Sequence, residues 1–145
     1  MRTYTVTRNN VTPNTSNDIL TLVAASGHPC MVKRVRCSGE ATSSTTMRTL
    51  ISKSTGGSTG GGAVTPQQTN SGDNAANTTA YTTWSGQPTL ASGGPLYNEG
   101  WNAFGGGFDL TLDGREIWLV GTEQLSIRNT VGTGVLDIDV EIAEP

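Results

Sequence analysis

Apolar positions along the chain recur with period 2 far more often than with period 3.6, which predicts strands and not helices. The clearest case comes last. Leu136, Ile138, Val140 and Ile142 alternate with Asp137, Asp139 and Glu141, so one face is expected to be buried and the other is acidic. At the other end, Arg2 to Arg8 (RTYTVTR) is rich in β-branched and aromatic residues and predicts a first strand, punctuated by Asn9-Asn10 and Pro13-Asn14. Asp18 to Ala25 is an apolar run of strand length, closed by Ser26-Gly27-His28-Pro29. Met31 to Ser38 predicts a strand with Val35 and Cys37 on one face and Val32, Arg34 and Arg36 on the other. Met47 to Lys53 predicts the next.

Residues 54–89 then change character. Of Leu, Ile, Val and Phe they hold only Val64, and they carry the clusters Gly56-Gly57 and Gly60-Gly61-Gly62. They read as one long, polar Gly/Thr-rich loop insertion. Within it, Asp73 is suited to cap a single helical turn, and Thr78 to Trp84 predicts a strand built on aromatic residues. Pro95-Leu96-Tyr97 leads toward Trp101 and Phe104, and Gly105-Gly106-Gly107 separates these from Phe108 to Leu112. Asp113-Gly114 is a hairpin-type turn signal before Arg115 to Val120, and Gln124 to Arg128 follows. About eight to ten short antiparallel strands without an internal repeat give an all-β fold, a single domain over residues 1–145, with β-sandwich and jelly roll both open.

Composition supports this and narrows the rest. Gly (19), Thr (23), Ser (12) and Asn (10) dominate, while Lys appears twice and Glu six times, which excludes a helical bundle. Leu, Ile, Val and Phe total only 28, but 27 of them lie outside residues 54–89, so the rest of the chain has ordinary core material. No stretch approaches the ~18 apolar residues of a transmembrane helix, and the N-terminus has no apolar signal region. No membrane partner is expected, and synthesis in a cytoplasm is. Cys30 and Cys37 on one strand would lie ~23 Å apart, beyond the ~7 Å a disulfide allows, so two free thiols are expected. Residues 1–53 carry seven Arg/Lys against Asp18 and Glu40, whereas residues 73–145 carry Arg115 and Arg128 against ten Asp/Glu. The two regions are expected to lie against each other or against a neighbouring subunit.

Catalytic chemistry finds little purchase. His28 is the only histidine, it sits in a turn, and no G-x-S-x-G elbow accompanies it. Two cysteines and one histidine do not make a zinc site, and Asp137, Asp139 and Glu141 on one strand face do not converge as calcium ligands must. Neither a metal nor a cofactor is expected. The glycine clusters lack the order of a phosphate loop, and the net charge of −3 argues against nucleic acid. Trp118 reads as core, within Ile-Trp-Leu-Val; Trp84 and Trp101, beside Gly- and Asn-rich segments, are the better candidates for exposed contacts, with core or loop-anchoring use the favoured reading for each. Arg34 and Arg36 share a face, as do Asp137, Asp139 and Glu141. On paired strands they complement each other across a ladder; on two subunits they form a charge-matched interface. With Tyr97, these residues form the candidate interface.

Three features carry a family resemblance: the opening Tyr4-Thr5-Val6 and Asn10-Val11 with the strands that follow, the Gly/Thr/Pro segment ending in Asp73-Asn74-Ala75-Ala76, and Gly114 to Leu119 before the alternating last strand. Over most of its length the chain resembles the small all-β head decoration, or cement, proteins of tailed bacteriophages. The resemblance implies a jelly-roll-like β-sandwich without catalytic residues. It further implies a virion structural protein on the outer capsid surface that staples neighbouring major capsid subunits. Symmetric capsid sites favour a homo-oligomer, a trimer ahead of a dimer. The alternative is a carbohydrate-binding β-sandwich module of a fibre or baseplate, with a glycan-cleaving enzyme third.

Overall fold

The computed structural model describes residues 1–145, with the side chains at 59 and 60 left aside. Thirteen strands occur among the described residues and build two antiparallel sheets that pack face to face as a β-sandwich. The strands are β1 (Arg2–Val11), β2 (Asp18–Val23), β3 (Cys30–Gly39), β4 (Thr46–Thr55), β5 (Ser58–Val64), β6 (Gln67–Gln68) and β7 (Thr79–Gly86). They continue as β8 (Thr89–Leu90), β9 (Tyr97–Asn102), β10 (Gly107–Thr111), β11 (Ile117–Leu119), β12 (Gln124–Val131) and β13 (Leu136–Glu144). One sheet runs β10-β3-β13-β1-β6, with β11 also on β3. The other runs β5-β7-β2-β12-β4-β8, with β9 also on β4. No helix of the described residues is long and apolar enough to cross a membrane.

The core is what the alternation predicts. Leu136, Ile138, Val140 and Ile142 of β13 are fully buried against Tyr4 and Val6 of β1 and Leu20, Leu22, Ile51, Leu125 and Ile127 of the facing sheet. Cys30 and Cys37 both lie on β3 as buried free thiols, and burial raises their pKa values to about 11 and about 12.

Three local expectations are corrected. On β3, Arg34 pairs with Glu141 but Val32 pairs with Ile142, so Lys33 is an extra residue in a β-bulge. The bulge shifts the alternation by one, and Val32 joins Val35 and Cys37 inside instead of sharing the face of Arg34 and Arg36. Asp113-Gly114 does not reverse the chain between two paired strands. Both β10 and β11 run antiparallel to β3, so the turn is an outward kink in one interrupted edge strand. Residues 54–89 are not a bare loop: they contain β5, β6 and β7. β7 matches the strand expected over Thr78 to Trp84; the apolar pattern misses β5 and β6, which are outermost in their sheets, where little side-chain burial is required.

That insert closes one side of the sandwich. β7 pairs with β2 and carries β5 outside it at the edge of one sheet, and β6 pairs with β1 at the edge of the other. The following segment then straps the outside of the seven-stranded sheet. The Trp84 Nε1–H donates to Thr21 Oγ1 at 2.9 Å, the Asp18 N–H donates to Gln87 Oε1 at 2.8 Å, and Arg128 Nη2 donates to the Pro88 carbonyl at 3.0 Å. Beneath the strap, Asp18, Thr21, Ser54 and Ser126 form a buried polar cluster. Asp18 Oδ2 accepts from Thr21 and Ser126 at 2.6 and 2.5 Å, and with its one proton so placed Ser126 Oγ accepts from the Ser54 hydroxyl at 2.7 Å. Among the described residues no buried side-chain nitrogen or oxygen lacks a hydrogen-bond partner, as a buried polar layer requires.

Candidate functional site

The outer face of the six-stranded sheet gathers most of the residues singled out from the sequence. β13 pairs with β3 so that Asp139 faces Arg36 and Glu141 faces Arg34, and β10 brings Asp109 opposite Arg36 from the other side. The ladder within one chain, one of the two arrangements open from sequence, is formed. The Arg34 guanidinium grips Asp109 through Nε (2.8 Å to Oδ1) and Nη2, and Arg36 pairs with Asp139. Thr7 Oγ1 adds a hydrogen bond to Asp139 Oδ1 at 2.6 Å.

The electrostatics follow from these contacts. The Arg34 guanidinium holds the Asp109 carboxyl below its usual range, and Asp109 raises Arg34 in return. Burial works against ionisation of Asp139, but the Thr7 hydroxyl and Arg36 outweigh it and the pKa falls. Asp137 accepts from the Asn10 N–H at 2.8 Å, and its contact with Glu40 raises the Glu40 carboxyl. The Arg34–Asp109 and Arg36–Asp139 side chains remain 36–49% exposed, so these pairs are screened and easily exchanged for other charges.

The aromatic candidates are placed otherwise. Trp101 is buried, donates Nε1–H to Thr49 Oγ1 at 3.0 Å and packs edge-on against Phe108 at 6.1 Å. Trp84 is half-buried as an anchor of the strap, with Tyr81 beside it at 5.0 Å. Tyr97 lies opposite Ile51 and packs partly against the core. Trp118, expected inside, is 44% exposed, because strand alternation turns Ile117 and Leu119 inward and leaves the indole outside.

Two grooves flank this end of the sandwich. One of about 630 Å³ is lined by Val23, Ala91, Val120, Glu123 and Gln124, the other of about 310 Å³ by Leu96, Tyr97 and Trp118, and Lys53 lines both. Lys53 Nζ donates to Glu123 Oε2 at 2.8 Å and to the Trp118 carbonyl at 2.7 Å, and Lys53 lowers the Glu123 pKa. At another site, a groove of about 470 Å³ lined by Arg2, His28, Asn77 and Glu144 contains the only histidine. Among the described residues no group of three or more His, Cys, Asp or Glu is arranged to hold a metal ion.

No family model, curated protein or solved structure matches the chain.

Proposed function

We propose that the protein is a structural component of a tailed-bacteriophage virion, a decoration protein on the outer capsid surface that bridges major capsid subunits. Its sandwich is read as a jelly roll with an insertion. Without β5 to β8, the strands fall into two rows, β10/β11-β3-β13-β1 and β2-β12-β4-β9. Eight strands so divided support two interleaved Greek keys. The insert between β4 and β9 then lies outside that frame.

The docking surface in this reading is the outer face of the six-stranded sheet. Its mixed charges, with ion pairs open to solvent, are the observation that carries the proposal. Such pairs contribute little to the isolated fold and can be re-formed across a subunit boundary, where they set register and partner choice. Copies of the chain on a symmetric shell meet as homo-oligomers, with three-fold sites preferred.

Electron microscopy of native particles tests the assignment. Density for this chain outside the capsid shell is expected, and density confined to the tail overturns it. The face itself is tested by the double variant Arg34→Glu/Arg36→Glu. It places two further negative charges among Asp109, Asp137, Asp139 and Glu141. Weaker capsid binding and a lower melting temperature are expected, both partly restored as added salt screens the repulsion. Unchanged binding and melting at low salt would remove this face from the proposal.

A further inference from the structure

The exposed Trp118 indole cannot turn inward without taking Ile117 and Leu119 out of the core, since the three alternate on β11. It stands beside a shallow, open groove with Leu96 (48% exposed) and Tyr97, and with Arg115, Glu116 and Lys53 at the rim. The floor is held in place. Lys53 ties the Trp118 carbonyl to Glu123, and Glu116 Oε1 accepts from the Gly114 N–H at 3.2 Å. By contrast, the Tyr97 hydroxyl and the Arg115 guanidinium have no hydrogen-bond partner among the described residues.

We propose that this groove binds a saccharide, with a pyranose ring stacked on the Trp118 indole and its hydroxyls held by Tyr97, Arg115 and Glu116. A sugar ring has an apolar C–H face and a polar rim, and the groove offers the matching pair: an aromatic plane edged by donors and an acceptor. A purely apolar ligand would desolvate Arg115 and Glu116 without return. Glu116 and Glu123 disfavour the phosphates of a nucleic acid. Because Lys53 lines both grooves, the larger one extends the site past Val120, and the ligand is an oligosaccharide of several units. The site is independent of the capsid reading, since it uses none of the charged face.

Titration with malto-, cello-, chito- and mannohexaose, followed by calorimetry and by the indole N–H signals in NMR, tests this. At least one is expected to bind with a Kd of about 1 mM or tighter and to shift the Trp118 indole signal. Trp118→Ala is expected to weaken binding at least about tenfold, and Tyr97→Phe, which removes only a hydroxyl, severalfold. Phe104→Ala, at another exposed aromatic, leaves binding unchanged. Three results overturn the proposal: no binding to any hexasaccharide at about 10 mM, equal affinity in Trp118→Ala, or a self-association of the protein that Trp118→Ala abolishes.

Discussion

Arg128→Met is expected to destabilise the domain by about 3–5 kcal/mol, the cost of removing one partner from a buried ion pair. The Asp18 side chain is fully inaccessible and that of Arg128 is 13% exposed. Arg128 gives Asp18 Oδ1 a hydrogen bond from Nε at 2.8 Å, while its Nη2 reaches the Pro88 carbonyl at 3.0 Å. Without the guanidinium, the carboxylate would keep its two hydroxyl donors but no opposing charge. The strap would lose one tie as well. In a chain of this length the melting temperature should fall by roughly 10 °C. The double variant Asp18→Asn/Arg128→Met should recover part of that loss, because a neutral amide is less costly to bury than an unpaired charge. A melting curve displaced by less than about 2 °C in the single variant would show that the pair does not hold the strap.

Glu144→Gln should cost about 2–3 kcal/mol and act on the insert. The buried carboxylate accepts from the Thr78 N–H and hydroxyl at 2.8 Å each, and from the Asn77 N–H and Nδ2 at 3.1 Å. A glutamine amide turns an NH₂ group toward these donors. Faster hydrogen exchange at Asn77 and Thr78 should report the loosened connection before β7; wild-type protection there would contradict it. The same carboxylate sets a pH dependence. Burial alone would raise its pKa, but the backbone and side-chain donors of Asn77 and Thr78 outweigh it and the folded value is lowered. The unfolded chain therefore takes up this proton first as the pH falls. The stabilisation is complete above the ordinary glutamate pKa of about 4.3 and is lost as the pH falls through the lowered folded value. Urea midpoints should drop below about pH 4 more steeply in wild type than in Glu144→Gln.

What could be seen beforehand depended on how local its cause was. β13 was legible because seven residues, Leu136 to Ile142, alternate without a break. The reversal of Val32 was not, since a bulge is fixed by which residue of the neighbouring strand lies opposite. Trp118 was expected in the core and lies outside, whereas Trp101 takes the core role favoured for it over an exposed contact. Ile-Trp-Leu-Val is apolar at every position and hides which residues face in, whereas Trp101 is covered by Phe108 and by the hydroxyl of Thr49, contacts made only in the fold. Asp18, at the head of an apolar strand, was not read as a buried charge. Its counter-ion lies 110 residues further along the chain, and nothing near Arg128 marks it as the partner. The charged face was easier to read, because two arginines and three acids at period 2 define faces whichever strands they meet.

β13 also determines when the protein can fold. It occupies the middle of its sheet, between β1 and β3, yet it is the last of the thirteen strands to be synthesised. Until Leu136 to Glu144 have left the ribosome, β1 and β3 have no shared neighbour, and the apolar faces of both sheets are open to other chains. At ~5–20 residues per second, that leaves several seconds of exposure for each nascent chain. Closure of the six-stranded sheet is therefore a late step, since β1 and β3 are joined only through β13.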